Sequence, residues 1–325
     1  MSEPFVSVII PARNEEHLLG NCLRSIAVLD YPKDRIEVIV ADGLSRDDTP
    51  RVAAEHGAII VRNPGLTVSP GRNIAFEISR GDVVAFTDAD CIVDRNWLMN
   101  SLKYFADAGV ACVGGPNLTP PDENAFGKSV GFVFGMRLFS AGSVHARELP
   151  RVTEVPSIPG CNAVYRRNAL ARVMPIDETL LTCDDTFLNR KLMDLGYKLL
   201  YTPDVFVWHY RRPTPARLWR QMYRYAIGRL QAGRRDGRML NSVHVITGLL
   251  LPAALILLAV SPHLFAQLLI AGTAALAAAG LYALFKTRSL ALALRVPAVI
   301  LIMAAAWSAG FVKELVRPLG KAETA

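Results

Sequence analysis

Two aspartates one residue apart, Asp88 and Asp90, close the apolar run Val83–Thr87. A β-branched run of this length reads as a strand, so both carboxylates fall at a sheet edge, where like charges repel unless a cation joins them. A hard divalent ion, Mg²⁺ or Mn²⁺, shared with a substrate diphosphate would relieve that repulsion and stabilise a departing nucleoside diphosphate. A solvated loop is the other reading of the triplet. A second pair, Asp184 and Asp185, precedes the helical pattern Thr186–Leu195. Capping accounts for one of them, because free amides and the helix dipole favour an anion there. The other is spare, and a carboxylate within reach of an acceptor hydroxyl serves as a general base. Asp42 follows the run Glu37–Ala41. It either accepts from the N–H of a uracil-type base or builds a turn with Gly43, Asp47 and Thr49 capping the next helix. His209, in VFVWHYRRP, is either a satisfied strand-end histidine or, close to Arg211 and Arg212, a metal or diphosphate contact.

These groups need a frame that brings strand ends together. Runs at Val6–Ile10, Glu37–Ala41, Ala58–Val61, Val83–Thr87 and Val110–Val113 alternate with helical patterns at Glu15–Leu29, Thr49–Glu55, Pro70–Arg80 and Trp97–Phe105. Repeated strand–helix units predict an α/β domain whose mostly parallel, Rossmann-like sheet is covered on both faces. Ligands of such sheets bind at the carboxyl ends of the strands. PARNEE, ADGLSRDDT and the Asp88–Asp90 pair all fall there. No GxGxxG follows the first strand, so a classical nicotinamide site is not expected.

Charge punctuates the chain up to Arg238 and then nearly vanishes until Lys286. Two uncharged runs, Val243–Val260 and Leu264–Phe285, flank Ser261, Pro262 and His263, and each approaches the roughly 20 residues that cross a bilayer. A third, Val296–Val312, reaches about 26 Å at ~1.5 Å per residue; it spans, or lies tilted or partly in the interface. Ahead of these runs Trp219, Met222, Tyr223, Ala226 and Leu230 recur at helical spacing, with Arg217, Arg220 and Arg224 on another face. That pattern predicts a basic amphipathic helix in the membrane interface, an ordinary packed helix being the alternative. The expected organisation is a catalytic domain over 1–212, the amphipathic helix over 213–240 and a transmembrane region over 241–325. Phe126–Phe139 is too short to span and reads as core or as a lipid-facing element.

Lysine and arginine number 36 against 29 acidic residues and gather between Arg211 and Arg238, as expected on the cytoplasmic face of an inner or plasma membrane. Lys313, Arg317 and Lys321 leave the topology of the third run open. Anionic lipid or phosphorylated substrates are favoured over nucleic acid. The start, MSEPFVSVII, has no basic segment followed by an apolar run, so a cleaved signal is not expected. The five cysteines (Cys22, Cys91, Cys112, Cys161, Cys183) form no CxxC pair and have no histidine at metal-ligand spacing, which suits a reduced cytosolic domain.

The order of these motifs resembles the family 2 glycosyltransferases from Val6 to about Arg229. VSVIIPARNEE looks like the family's opening strand and nucleotide loop, implicating Pro11, Arg13 and Glu15; ADGLSRDDT resembles its DGxSxDxT segment and implicates Asp42 in base recognition. SPGRNIAFEISRGDVVAFTDAD looks like the RN helix running into the DxD, which places Arg72 and Asn73 near the donor and Asp88 and Asp90 at the metal. IPGCNAVYRR is similar to the acceptor segment, implicating Gly160 and Asn162. CDD stands where the family commonly has TED, so Asp185 matches the base and Asp184 replaces Glu. RQMYRY resembles QxxRW, with Gln221 and Arg224 kept and Tyr225 in place of Trp. The resemblance implies a GT-A fold, inversion at the anomeric centre, a nucleoside diphosphate sugar donor (a UDP-sugar is expected) and Mg²⁺ or Mn²⁺ as cofactor. The motif order is similar to that of succinoglycan-type and related envelope enzymes, with a single or limited sugar addition expected.

With the domain tied to the bilayer, a polyprenyl-linked acceptor is expected. A processive polysaccharide synthase shares the same signals but generally has more helices, often some before the catalytic domain. A non-catalytic nucleotide-sugar-binding membrane protein is the alternative of another class, against which Asp90 and Asp185 both weigh. A transporter is disfavoured, because no charged residue lies in the two long apolar runs and His244, their one histidine, stands at the very start of the first.

Overall fold

The computed structural model describes residues 3–136 and 148–318. The chain divides into two compact units: Met1–Pro120, Gly142–Glu178 and Asp184–Tyr210 form the first, and Pro121–Ala141, Thr179–Cys183 and Arg211–Ala325 the second.

The first unit holds strands β1 (Val6–Ala12), β2 (Ile36–Asp42), β3 (Ile59–Arg62), β4 (Val83–Thr87), β5 (Cys91–Val93), β6 (Val110–Gly114), β7 (Asn117–Leu118), β8 (Thr153–Glu154), β9 (Asn162–Arg166), β10 (Lys198–Tyr201) and β11 (Val207–His209). Eight of them form a sheet in the order β3-β2-β1-β4-β9-β6-β10-β8, and three form a smaller sheet, β5-β11-β7. Strand β1 shows why the sheet needs two covers. Its side chains alternate, so that Val6, Val8 and Ile10 enter one core while Ile9 enters the other. Helices α1 (Leu19–Ala27), α2 (Thr49–Glu55) and α4 (Trp97–Leu102) cover the first face; α3 (Val68–Ile78), α6 (Arg167–Ala171) and α7 (Asp184–Asp194) cover the second.

Pairing is parallel for β1 with β2 and β4, β2 with β3, and β6 with β10. The mostly parallel sheet expected from the sequence carries one departure that matters. Strand β9, which periodicity did not reveal, runs antiparallel between β4 and β6. It therefore starts where β4 ends: Asn162 stands opposite Thr87, and the Thr87 hydroxyl donates to the Cys161 carbonyl at 3.1 Å. Strand β11 does the same in the smaller sheet, running antiparallel to β5 with His209 opposite Cys91.

The second unit is helical: α5 (Ala125–Gly135), α8 (Pro215–Arg235), α9 (Ser242–Gly248), α10 (Leu250–Val260), α11 (Pro262–Thr287) and α12 (Leu290–Leu315). Of the stretch Phe126–Phe139, the part within α5 is core, with Val130 and Val133 buried; residues 137–139 lie outside the described residues. Helices α11 and α12 are each long and apolar enough to cross a membrane. The run expected to span from Val243 to Val260 is broken into α9 and α10, bent by 51°; together they are long and apolar enough to cross a membrane as one broken span. The break has a chemical cause. Pro252 has no N–H to give the Gly248 carbonyl, and the Ser308 hydroxyl takes its place, donating to Gly248 O (2.9 Å) and accepting from Leu251 N (3.0 Å). The run expected at Val296–Val312 belongs to the longer helix α12.

Helix α8 begins on the Thr214 hydroxyl, which accepts from Arg217 N, with Pro215 in its first turn. Its apolar stripe was expected to lie in the membrane interface; α12 covers most of it, while Trp219 stays exposed. Leu218 and Met222 pack with Val296, Val299, Ile300 and Met303, and farther along Ala226 and Leu230 meet Phe311. At the far end Arg234 donates to the buried Glu314, Nη1 to Oε1 at 3.0 Å and Nη2 to the carbonyl at 2.7 Å, and Arg317 reaches the same carboxylate at 3.4 Å. A buried carboxylate without such partners would be strongly destabilising. The two helices approach closely because residue 310 is glycine: a Cβ there would stand 2.2 Å from the Tyr223 carbonyl oxygen. Gly310→Ala is therefore expected to lower the thermal unfolding midpoint of the detergent-purified protein, by overpacking worth about 1–3 kcal/mol. Gly272→Ala in α11, whose added Cβ meets nothing within 4 Å, should leave the midpoint unchanged or raise it.

Candidate active site

The loops after β1 and β2 are stitched together at one end of the sheet. Asn14, in a left-handed conformation (φ +55°), donates its N–H to the Ser45 hydroxyl and accepts from Arg46 N; Glu15 N donates to Thr49 Oγ1 and Gly43 N to the Ala12 carbonyl. Asp42 sits in this seam and accepts from Ser45 N with both oxygens at 3.3 Å, so the turn reading of Asp42 describes its contacts within the protein. Asp47 holds the first turn of α2 through Thr49 N and Oγ1. Pro11 is buried at the end of β1, Glu15 is half-buried and Arg13 is exposed.

Arg72, on α3, is the centre of the arrangement. Its side chain is 4% exposed, yet it meets two acidic groups from distant parts of the chain: Nη2 donates to Asp88 Oδ1 at 3.0 Å, and Nη1 lies 3.4 Å from Asp184 Oδ2. Nη2 also donates to the Gly160 carbonyl at 2.9 Å, and the guanidinium stands 5.0 Å over the Phe86 ring. Burial alone would lower its pKa, but Asp88, Asp184 and Asp185 raise it, so the charge is retained. Asp184 shows the opposing balance: burial raises its pKa, Arg72 pulls it down and Asp185 pushes it up again. Asp185 is held differently. Gly160 N donates to its Oδ2 (2.9 Å) and Thr186 N to its Oδ1 (2.6 Å). Each oxygen is oriented by a backbone amide; Oδ1 also accepts from the Thr186 hydroxyl at 3.2 Å, whereas Oδ2 keeps a second lone pair for another donor.

Across the same edge, β11 delivers His209. Its Nε2 lies 3.3 Å from Asp90 Oδ1, both side chains being about one-tenth exposed, and Tyr210 N donates to the Asp90 carbonyl. Burial disfavours the imidazolium, but the Asp90 carboxylate and then Cys161 hold its pKa up at about 10. A protonated ring thus occupies the cation's role beside Asp90. Asp88, Asp90 and, once its ring gives up a proton, His209 offer carboxylate and imidazole donors of types that suit Mg²⁺ or Mn²⁺.

Two of the sequence-predicted residues have other work. The Asn73 amide bridges Ile176 N, Ile176 O and Glu178 Oε1. Asn162, fully buried, accepts from Trp97 Nε1 (2.8 Å) and donates to the carbonyls of Val205 (3.0 Å) and Pro116 (3.4 Å). Their amides are taken up inside the protein, so both residues fix loops rather than present a polar group. Gln221 and Arg224 belong to α8 in the second unit, where Gln221 Nε2 donates to the Tyr225 hydroxyl at 3.2 Å and Arg224 is exposed. A cavity of about 770 Å³ beside Met174, Ile176 and Lys191 is not lined by any of the four edge aspartates.

Sequence reasoning also missed a group. Cys91, Cys161 and His209 lie together, all buried, although no spacing pattern joins them. The available signal was their position: Cys91 follows the DxD, and Cys161 sits inside the Gly160–Asn162 segment that the fold brings beside it.

An α/β unit carrying carboxylate pairs at its strand ends is that of a GT-A glycosyltransferase. The model of glycosyl transferase family 2 matches residues 7–174, about half of the chain, and the protein belongs to that family. The glycosyltransferase AglE of Haloferax volcanii is 27% identical over 75% of this chain and 79% of its own length. The probable glycosyltransferase YdaM of Bacillus subtilis is 29% identical over 69% of this chain and 55% of its own. Among solved structures, the mannosyltransferase PcManGT from Pyrobaculum calidifontis, in complex with GDP-Man and Mn²⁺, aligns with 97% of this chain and 88% of its own at a TM-score of 0.67 and 23% identity, a likeness of fold.

Gly160 is the weak point of the Arg72 arrangement, since an added Cβ would lie 2.4 Å from Nη1. Gly160→Ala is expected to displace the guanidinium and destabilise the purified protein by about 1–3 kcal/mol. Arg72→Lys keeps the charge but loses the fork that serves Asp88 and Asp184 together, so it should destabilise similarly. Thermal unfolding checks both, and an unchanged midpoint for Gly160→Ala would mean that the guanidinium has room to move.

Proposed function

We propose that the protein transfers a sugar from a nucleoside diphosphate sugar, with a UDP-sugar as the expected donor, to a polyprenyl-linked acceptor at the cytoplasmic membrane face, inverting the anomeric centre with Mg²⁺ or Mn²⁺. The observation that carries this reading is a set of pairings near one sheet edge: Asp88 and Asp184 with Arg72, Asp185 with Gly160, and Asp90 with His209. Asp88, Asp90 and His209 hold the divalent ion, which when bound offsets the charge that develops on the leaving diphosphate. PcManGT was solved with GDP-Man and Mn²⁺, which supports a nucleotide-sugar donor and a metal here. Asp42, in the seam after β2, receives the base, with Pro11, Arg13 and Glu15 beside it. Asp185 takes the proton of the acceptor hydroxyl while that oxygen forms its bond to the anomeric carbon and the bond from that carbon to the diphosphate oxygen breaks. Arg72 holds Asp184 in place beside it.

The membrane reading rests on apolar surface. Helix α10 buries none of its residues and α11 only Gly280 and Ala283, whereas α12 buries ten and runs along α8. In this reading α10 and α11 form a lipid-inserted hairpin. The exposed Arg224 of α8 and its basic neighbours then face lipid phosphates. A carrier lipid in this reading keeps its tail in the bilayer and presents its head as the acceptor.

Asp185→Asn is expected to slow transfer by roughly 10²-fold or more while donor binding persists, whereas Asp90→Ala should abolish metal-dependent donor binding. Full turnover by purified Asp185→Asn protein would remove that residue from the mechanism. Membranes given radiolabelled donor should place label in an organic-extractable, mild-acid-labile product, with less incorporated by Arg224→Ala. Label found only in water-soluble glycan or protein at the earliest times would overturn the lipid acceptor.

A further inference from the structure

Behind the DxD lies a donor set of different chemistry. Cys91 Sγ, Cys161 Sγ and a ring nitrogen of His209 all lie within 4.8 Å of one another, on residues 1%, 4% and 7% exposed. Cys161 Sγ is 3.9 Å from His209 Nδ1. Around a tetrahedral zinc ion, with Zn–S of ~2.3 Å and Zn–N of ~2.0–2.1 Å, adjacent ligand atoms stand about 3.6 Å apart. The observed spacing is close to that of a metal-bound pair before any adjustment. Three elements supply the ligands, and each is fixed by pairing: Cys91 on β5 faces His209 on β11, and Cys161 is held against β4 by the Thr87 hydroxyl.

The surroundings fit as well. Histidines that bind metal usually give their other ring nitrogen to a carboxylate, which sets the tautomer and the ring's orientation. Here Nε2 faces Asp90 Oδ1 at 3.3 Å, leaving Nδ1 toward the sulfurs. Asn117 Nδ2 donates to Cys161 Sγ at 3.0 Å, the kind of contact that steadies a thiolate ligand. Two sulfurs and one nitrogen prefer a soft or borderline ion, whereas the oxygens of Asp88 and Asp90 prefer a hard one. The two donor sets meet in a single imidazole ring.

We propose that Cys91, Cys161 and His209 Nδ1 form a buried site for a thiophilic divalent ion such as Zn²⁺ or Cd²⁺, separate from the Mg²⁺ or Mn²⁺ expected at Asp88 and Asp90, and that its occupation inhibits transfer. Binding displaces the protons on the Cys91 and Cys161 sulfurs and the Nδ1 proton of the His209 imidazolium, all of which pass to solvent, and uses the lone pair thus freed on Nδ1. The ring keeps one proton, on Nε2, donated to Asp90. His209 is then unable to offer Nε2 to the donor's ion. That inhibitory consequence rests on the role given to His209 in the proposed function; the binding itself does not.

The test uses the full-length protein in detergent, stripped by a chelator and titrated with Cd²⁺ under excess Mg²⁺. About one Cd²⁺ per chain should be retained by native mass spectrometry, with a thiolate-to-cadmium charge-transfer band in the ultraviolet. Cys91→Ser and Cys161→Ser should each weaken binding by roughly 100-fold or more, while Cys112→Ala keeps the band. Absence of the band, or its survival in both serine variants, overturns the site. Should either variant fail to fold, wild-type protein that retains less than one Cd²⁺ against Mg²⁺ overturns it equally. In the second arm, Zn²⁺ should suppress Mn²⁺-supported transfer by the wild type and not by Cys91→Ser. Stoichiometric binding with undiminished transfer would support the site and overturn the part given to Nε2 in holding the donor's ion.

Discussion

Four carboxylates crowd one edge of a sheet, and the first unit is arranged so that they can stay there. Two like charges about 4 Å apart repel by roughly 4 kcal/mol at an effective dielectric of ~20, enough to move loops or force protonation. The protein answers with two buried cations of its own. Arg72 spans Asp88 and Asp184, and the His209 imidazolium lies against Asp90. Arginine suits the first task because its planar fork serves several acceptors at once, and the ring of Phe86 supports the guanidinium from one side. Glycine at 160 completes the arrangement by leaving the space that the fork occupies while lending its carbonyl to Arg72 and its amide to Asp185.

That balance depends on strand direction. Had β9 run parallel to β4, the Gly160–Cys161 segment would lie at the opposite end of the sheet from Asp88. Antiparallel pairing brings it to the same end, and the antiparallel β5–β11 pair brings His209 to Asp90 by the same logic. A parallel doubly wound sheet collects ligands at the carboxyl ends of its strands. In this protein two reversed strands add the ends that a parallel sheet would send elsewhere.

The helical unit follows a different rule. Its interior is organised along one long contact, α8 against α12, which closes on the Arg234–Glu314 ion pair and needs glycine at 310. Helices α10 and α11 leave nearly all of their apolar residues exposed. Such a surface is stable only where something apolar covers it, which is the physical basis for proposing lipid as the cover of that hairpin.

Most of the parallel half of the fold was legible in the chain. Strand runs and helix patterns predicted β1 to β4, β6 and α1 to α4 to within a few residues, since buried strands and amphipathic helices write their periods directly into the sequence. The carboxylates at strand ends, the motif order and the long apolar runs were legible for the same local reason. What the sequence could not determine is which distant segments meet. Periodicity carries no information about β9 reversing between β4 and β6, so Asn162 looked like a ligand when it is the buried partner of Trp97, and cysteines 70 residues apart looked unrelated. Likewise the apolar stripe of α8 is the same residue pattern whether lipid or α12 covers it, and the break before α10 depends on Ser308, more than 50 residues away in sequence. Local periodicity records that a face must be buried, whereas the identity of what buries it is settled only when the chain folds.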